Sequence, residues 1–343
     1  MDLDQPDRFG AVDPADALGD VEATSVQWAA APRPPRIDLN GVDSVLVTGV
    51  GGSGICADVV AGLAAERLAV PIVVHKTYGL PAHVGNRSLV VAVSCSGNTE
   101  ETLSGAEEAL RRRAGLLVVA GGGRLAELCE DRGHPWVSVP RAWQPRHSLG
   151  ALAVPVLAAL GLDDGLEETL AVQRAVLAAC GRDVPCADNP VKRLGARIAE
   201  AGIVVVQGAR PLASVAAYRL KSQLNENAKV PAFFGELPEV THNEIVGWQD
   251  HPDLWKDTPL VLMRDPQGEH PRMTRRIGHL EDLAADHLDE VVELTAHGGP
   301  PLARLASLLM LADLTSIYAA LARDCDPTPI ALIDRLKEEM SRE

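Results

Sequence analysis

The sequence predicts an α/β protein built from parallel sheets with helices on both faces. Short apolar runs rich in Val, Ile and Leu alternate with helix-patterned segments from Ser44 onward, the order expected of parallel strands joined by crossover helices. Two of these runs, within LVTGVGGSGI (46–55) and VVAVSCSGNTEET (90–102), end in loops of Gly, Ser and Thr that open a helix. The second half repeats the alternation. A chain of 343 residues, 46% hydrophobic, is long enough for about two domains with packed cores.

Residues 1–35 are acidic and broken by Pro6, Pro14 and the run PRPP at 32–35, so a helical and linker segment is expected there. SVLVTG from Ser44 reads as a strand, 55–66 as a helix, and PIVVH from Pro71 and SLVVAVS from Ser88 as strands. Residues 100–113 read as a helix with acids in its first turn and Arg111, Arg112 and Arg113 in its last, which suits the helix dipole. A strand at 115–120, a helix at 124–131 and WVSVP from Trp136 complete the first half.

An apolar helix is expected at 150–162, followed by LDDGLEETL as an acidic, solvated connection and the best candidate for a domain boundary. Beyond it come a helix at 189–201, the strand IVVVQ from Ile203 and a long helix at 211–227. PLVLM from Pro259 and EVVELT from Glu290 read as strands, and 301–323 and 330–342 as helices, the first opened by paired prolines. The loop after IVVVQ is GARPLAS, without the hydroxyl-rich pattern of the first half.

Composition narrows the function. A net charge of −15 argues against a protein that tracks nucleic acid or an anionic membrane. No apolar run is expected to approach the roughly 20 residues of a membrane helix. The start MDLDQPDRFG lacks a secretory pattern, so the cytoplasm is the expected location. Six cysteines are scattered without a CxxC or Cys/His cluster, so neither zinc nor a disulfide framework is expected. Aromatic residues make up only 3%, which disfavours a stacking platform for bases or glycans.

Backbone N–H groups at a helix start, with hydroxyls beside them, can satisfy the acceptor oxygens of a phosphate. Gly49, Gly51 and Gly54 also fit the spacing of a dinucleotide loop, but the acid expected about 20 residues on is replaced by His75 and Lys76. A ligand-free turn is the bland alternative. Ser94, Ser96 and Thr99 shift the balance, because a helix cap needs one hydroxyl and three are present. A phosphomonoester would use the excess.

Gly51-Gly52-Ser53-Gly54 together with Ser94-Cys95-Ser96-Gly97-Asn98-Thr99 resembles the sugar isomerase (SIS) domain. Asn225-Glu226-Asn227-Ala228-Lys229, His242-Asn243-Glu244-Ile245 and Ile333-Asp334-Arg335-Leu336-Lys337 follow in order and resemble the bifunctional phosphoglucose/phosphomannose isomerases. The match runs from about Ser44 to the end. Val50 stands where that family often has Met, and Cys95 where it often has Tyr.

The resemblance implies two SIS subdomains, each a three-layer, flavodoxin-like αβα unit: 36–152, which binds phosphate, and 153–343, which carries the catalytic Glu, His and Lys. It implies a homodimer, no metal and no cofactor, and interconversion of glucose 6-phosphate and mannose 6-phosphate with fructose 6-phosphate through a cis-enediol. Gly52, Ser53, Ser94, Ser96 and Thr99 would hold the phosphate. Glu226 would move the proton between C1 and C2. His242, contributed by the neighbouring subunit, and Lys337 would open the sugar ring, and Arg146 would stabilise the enediolate. On residue type alone, Glu226, His242 and Lys337 read as surface residues, and Arg141 competes with Arg146. A non-catalytic sugar-phosphate sensor is the alternative, although no basic DNA-binding extension is apparent.

Overall fold

The apolar runs become two fully parallel sheets. The computed structural model describes residues 1–340 and 342. Strands β1 (Ser44–Thr48), β2 (Ile72–His75), β3 (Ser88–Ser94), β4 (Gly115–Ala120) and β5 (Trp136–Ser138) form a five-stranded sheet in the order β2-β1-β3-β4-β5. Strands β6 (Val204–Ala209), β7 (Ala232–Leu237), β8 (Leu260–Arg264) and β9 (Val291–Thr295) form a four-stranded sheet in the order β7-β6-β8-β9. In register, Leu46 lies between Val73 and Val90, and Leu262 between Gln207 and Glu293.

Successive side chains of a strand point to opposite faces, and the cores follow that period. On the first sheet, Leu46, Val90, Ala92 and Val118 pack with Leu103 and Ala106 of α4 (Glu100–Arg111) and Leu125 of α5 (Gly123–Asp131). Val45, Val47, Val91 and Val93 face the other way, into a larger core with α3 (Gly52–Ala64) and α6 (Leu149–Leu160). The second sheet enters that same core through Val204, Val206, Val261 and Met263, beside α8 (Pro190–Glu200), α9 (Ala213–Gln223) and α12 (Pro301–Ala322). Its opposite face, with Val205, Leu260 and Leu262, is covered by Ile277 and Leu280 of α11 (Pro271–Ala285). The two sheets therefore share a helical centre.

The N-terminal segment contains the expected short helices, α1 (Ala17–Glu22) and α2 (Thr24–Ala30), with Leu18 and Trp28 buried in the central core. Gln27 caps α6: its Oε1 accepts from the N–H of Gly150 at 2.7 Å and its Nε2 donates to the carbonyl of His147 at 2.8 Å. Other expectations change. The acidic stretch expected as a connection instead opens α7 (Leu166–Cys180), whose Leu166, Thr169, Gln173 and Val176 are buried. Strand β7, helix α11 and the short α10 (Pro252–Trp255) were not anticipated.

The expectation about long apolar runs is also corrected. Helix α12 has 22 residues and is long and apolar enough to cross a membrane, but 94% of its most apolar window is buried inside the protein, as the axis of the core. The last helix, α13 (Ala331–Met340), is shorter than expected, and Ser341 and Glu343, to which the expected helix and second unit extend, lie outside the described residues.

Candidate active site

In a sheet of order 2-1-3-4-5, the crevice for a ligand lies at the carboxyl ends of the strands flanking the reversal, here β1 and β3. Both hydroxyl-rich loops leave from there. Ser53 lies in the first turn of α3, and its Oγ accepts from the N–H of Cys95 at 3.1 Å, which ties one loop to the other. Ser94 Oγ accepts from the N–H of Gly97 at 3.0 Å and lies 2.9 Å from Thr99 Oγ1 and 3.4 Å from Ser96 Oγ. Ser96 Oγ accepts from the N–H of Asn98 at 3.1 Å. The structure thus gathers Ser53, Ser94, Ser96 and Thr99 at two adjoining helix starts, where N–H groups and hydroxyl donors favour an anion.

Two glycines make this geometry possible. Gly97 has φ +71°, and a Cβ there would lie 1.6 Å from the carbonyl oxygen of Gly122, so the loop closes on the next turn only with glycine. A Cβ on Gly52 would lie 2.8 Å from the carbonyl oxygen of Pro145 and 2.9 Å from Arg146 Cα. Gly52 therefore brings the start of α3 against the turn Pro145–His147, which carries Arg146.

Arg146 is buried, with Nε and Nη2 engaged and Nη1 without a hydrogen bond among the described residues. Its Nε donates to Asn227 Oδ1 at 2.7 Å, its Nη2 donates to the carbonyls of Pro327 and Thr328 at 2.8 and 2.9 Å, and its Nη1 lies 4.0 Å from Glu226 Oε2. Burial pulls its pKa below the usual arginine value, while Glu226, Asp20 and Asp326 act in the opposite direction. A guanidinium nevertheless keeps its charge at any physiological pH.

Glu226 sits in a π turn, Leu224–Ala228, that continues α9 and ends at Lys229 in the left-handed conformation, φ 53°. Such wide turns recur at functional sites because they re-aim a side chain that a regular helix would direct elsewhere. The Glu226 side chain is 27% exposed, and among the described residues no donor hydrogen-bonds to it. Its lone pairs are free to take a proton from a ligand. Lys229 Nζ donates to the carbonyls of Asn227, Asp326 and Pro327, and burial is the largest effect on its pKa, which is lowered.

A layer of polar residues that sequence reasoning missed holds this pair in place. Arg219 donates twice to Asp313, at 2.7 Å from both Nε and Nη2, and its Nη2 also donates to the carbonyl of Arg146 at 2.9 Å. Gln223 donates to Asp313, and Asn227 Nδ2 donates to Ser316 Oγ at 2.9 Å. Asp313 sits within the apolar run LLMLADLTSIYAALA, and a carboxylate in such a run is buried only with a partner. That was the available signal.

Among the described residues no hydrogen bond or ion pair joins His242 or Lys337 to this group. His242 ends the turn Glu239–His242 after β7, exposed and without a hydrogen-bond or ionic partner among the described residues. Lys337 lies on α13, all of whose residues are exposed. The segment leading into α13 is nonetheless fastened at the site, through the carbonyls of residues 326–328 that Arg146 and Lys229 hold. Among the described residues no group of three or more His, Cys, Asp or Glu is placed to hold a metal ion, and the six cysteines are unpaired.

Comparison with known proteins agrees with this architecture. Residues 187–340 match the model of the bacterial phospho-glucose isomerase C-terminal SIS domain. The chain is 34% identical over 313 residues to a bifunctional phosphoglucose/phosphomannose isomerase of Caldicellulosiruptor bescii, covering 89% of this chain and 92% of that one. It is 35% identical to the protein of the same description from Aquifex aeolicus, over 89% and 92% of the two chains. A solved glucose-6-phosphate isomerase like protein from Thermus thermophilus shares the fold at a TM-score of 0.66 and 18% identity, over 98% of this chain and 99% of that one. The phosphate-type loops, the parallel sheets and these relatives converge, and the chain belongs to the bifunctional phosphoglucose/phosphomannose isomerase family of SIS-domain proteins.

Proposed function

We propose that the chain interconverts glucose 6-phosphate and mannose 6-phosphate with fructose 6-phosphate. One arrangement carries the reading: a buried guanidinium, Arg146, is held 4.0 Å from a carboxylate, Glu226, to which no described residue donates, and Gly52 brings the Arg146 turn against the helix that starts at the hydroxyl loops. Ser53, Ser94, Ser96 and Thr99, with backbone N–H groups of the loops including Gly52, take the phosphate. Glu226 removes the proton from C2 of the open-chain aldose and returns it to C1 of the enediol, while a second proton passes from O2 to O1, giving the ketose. The negative charge that develops on the oxygens meets Arg146, which is already in place and needs no reorganisation.

Ring opening falls to His242 and Lys337, His242 reaching the site from a second copy. Two features support such a homodimer. Among the described residues His242 has no side-chain partner, and α13 exposes Leu332 at 85% and Leu336 at 61%. We further read residues 36–152 and 153–343 as the two subdomains, with 1–35 as an N-terminal segment, and the cytoplasm as the site of action. A sensor that only binds sugar phosphate would need the hydroxyl loops alone and would have no use for the Arg146–Glu226 pair. A coupled assay of purified protein with glucose 6-phosphate and with mannose 6-phosphate tests the reading. Turnover of both is expected, and tight binding of fructose 6-phosphate without turnover would establish the sensor instead.

A further inference from the structure

A second cationic feature lies away from the hydroxyl loops, on the outer side of the four-stranded sheet. A cleft of about 430 Å³ opens between α11 and the turns Glu239–His242 and Glu244–Gln249, within the size range of small-molecule sites. Arg272, Arg275, Arg276 and His279 line it, with Ile245 and Leu283 supplying apolar wall. The four basic residues fall at i, i+3, i+4 and i+7 of α11, which puts them on one stripe of the helix.

That placement is unfavourable for the helix itself. Like charges at i, i+3 and i, i+4 repel, and the first turn, where Arg272 lies, disfavours a cation. Among the described residues none of the three arginines pairs with a carboxylate, in a chain whose net charge is −15. Of the three, among the described residues, Arg276 alone has a side-chain partner, donating to Thr241 Oγ1 at 2.6 Å. Thr241 precedes His242 directly, so the cleft wall is the segment that carries a proposed catalytic residue.

We propose that this cleft binds a small organic phosphate, its phosphate on Arg272, Arg275 and Arg276 and its less polar body against Ile245 and Leu283, and that occupancy sets the position of the His242 turn. An anion reverses the repulsion along the stripe, and guanidinium forks suit phosphate oxygens. The effect on catalysis rests on the isomerase reading above, whereas binding does not.

The test is calorimetric titration of the full-length protein with adenosine 5′-monophosphate, in the wild type and in the Ser96→Ala/Thr99→Ala variant, which weakens the hydroxyl loops and leaves the cleft untouched. One molecule per chain is expected, with affinity reduced at least tenfold by Arg272→Gln/Arg275→Gln, both exposed positions, and unchanged by Ser96→Ala/Thr99→Ala. Inorganic pyrophosphate, which lacks the body, is expected to bind less tightly. Absence of saturable binding, or binding that the double variant leaves intact, overturns the site, and pyrophosphate binding as tightly overturns the apolar contact. If the double arginine variant instead changes the sedimentation of the unliganded protein and no nucleotide binds, the cleft is a subunit contact and the proposal fails. The nucleotide is expected to change fructose 6-phosphate turnover at least twofold in the wild type and not in the double variant, and unchanged turnover at full occupancy overturns the link to His242. A chain that binds the nucleotide this way but has no isomerase activity would sink the isomerase reading alone.

Discussion

Burying Arg146 removes a guanidinium from water, at a cost on the order of several kcal/mol, and three acceptors with the nearby Glu226 carboxylate offset it. Its position depends on residues that touch no substrate. Replacing Asp313 by Ala leaves Arg219 buried without its carboxylate, so a loss of about 3–5 kcal/mol is expected in urea unfolding; a change below about 1 kcal/mol would show the pair to be dispensable. At the hydroxyl loops, Ser96→Ala/Thr99→Ala removes two donors to a charged group, each worth roughly 1.5–3 kcal/mol. The KM for fructose 6-phosphate is expected to rise at least tenfold, and an unchanged KM would place the phosphate elsewhere. The hydroxyls were legible because their number exceeds what a helix cap needs. Glu226 and Arg146 were legible only through resemblance, since neither a helix-end Glu nor an Arg before a helix stands out by type. Arg219 and Asp313 were missed, and Asn227 was noted only as part of a motif, because they act on Arg146 through folding of α9 against α12, a contact that local pattern does not report.

Elements were legible where one pattern dominated. Strands β1, β3, β6 and β8 are fully buried and read as apolar runs. Strand β7, AFFGEL, carries Gly235 and Glu236, has no β-branched residue and sits at a sheet edge with Phe233 exposed, so nothing marked it. Helix α11 buries only Ile277, Leu280 and Ala284 and reads as a polar stretch. The π turn at residues 224–228 was invisible, since LNENA is unremarkable as helix. Helix α13 presents the opposite case, an amphipathic helix whose apolar side no described residue covers. Leu332 and Leu336 stand at i and i+4 on one side. Leu332→Asp/Leu336→Asp is expected to shift the sedimenting species from dimer to monomer and to lower turnover with it. A dimer of unchanged stability would remove α13 from the interface.

At the scale of the molecule, the two sheets differ in what they contribute. The first keeps hydroxyl-rich loops at its reversal point, and the second supplies Glu226 from the helix after β6, with α12 and the turn carrying Arg146 joining them. A shared core of α3, α6, α8, α9 and α12 lies between the two sheets, so in the proposed reaction a sugar phosphate held at the loops of one would meet the carboxylate supplied by the other. The sequence announced two repeated halves but not their common core, because the segment expected as a solvated connection became α7, packed on α12. The central claim is that Glu226 moves a proton between C1 and C2, and proton exchange reads it directly. In deuterium oxide, the wild-type protein is expected to convert fructose 6-phosphate to glucose 6-phosphate and mannose 6-phosphate carrying deuterium at C2. Glu226→Gln is expected to bind the substrate nearly as well and to incorporate none, and incorporation at the wild-type rate in that variant would contradict the account.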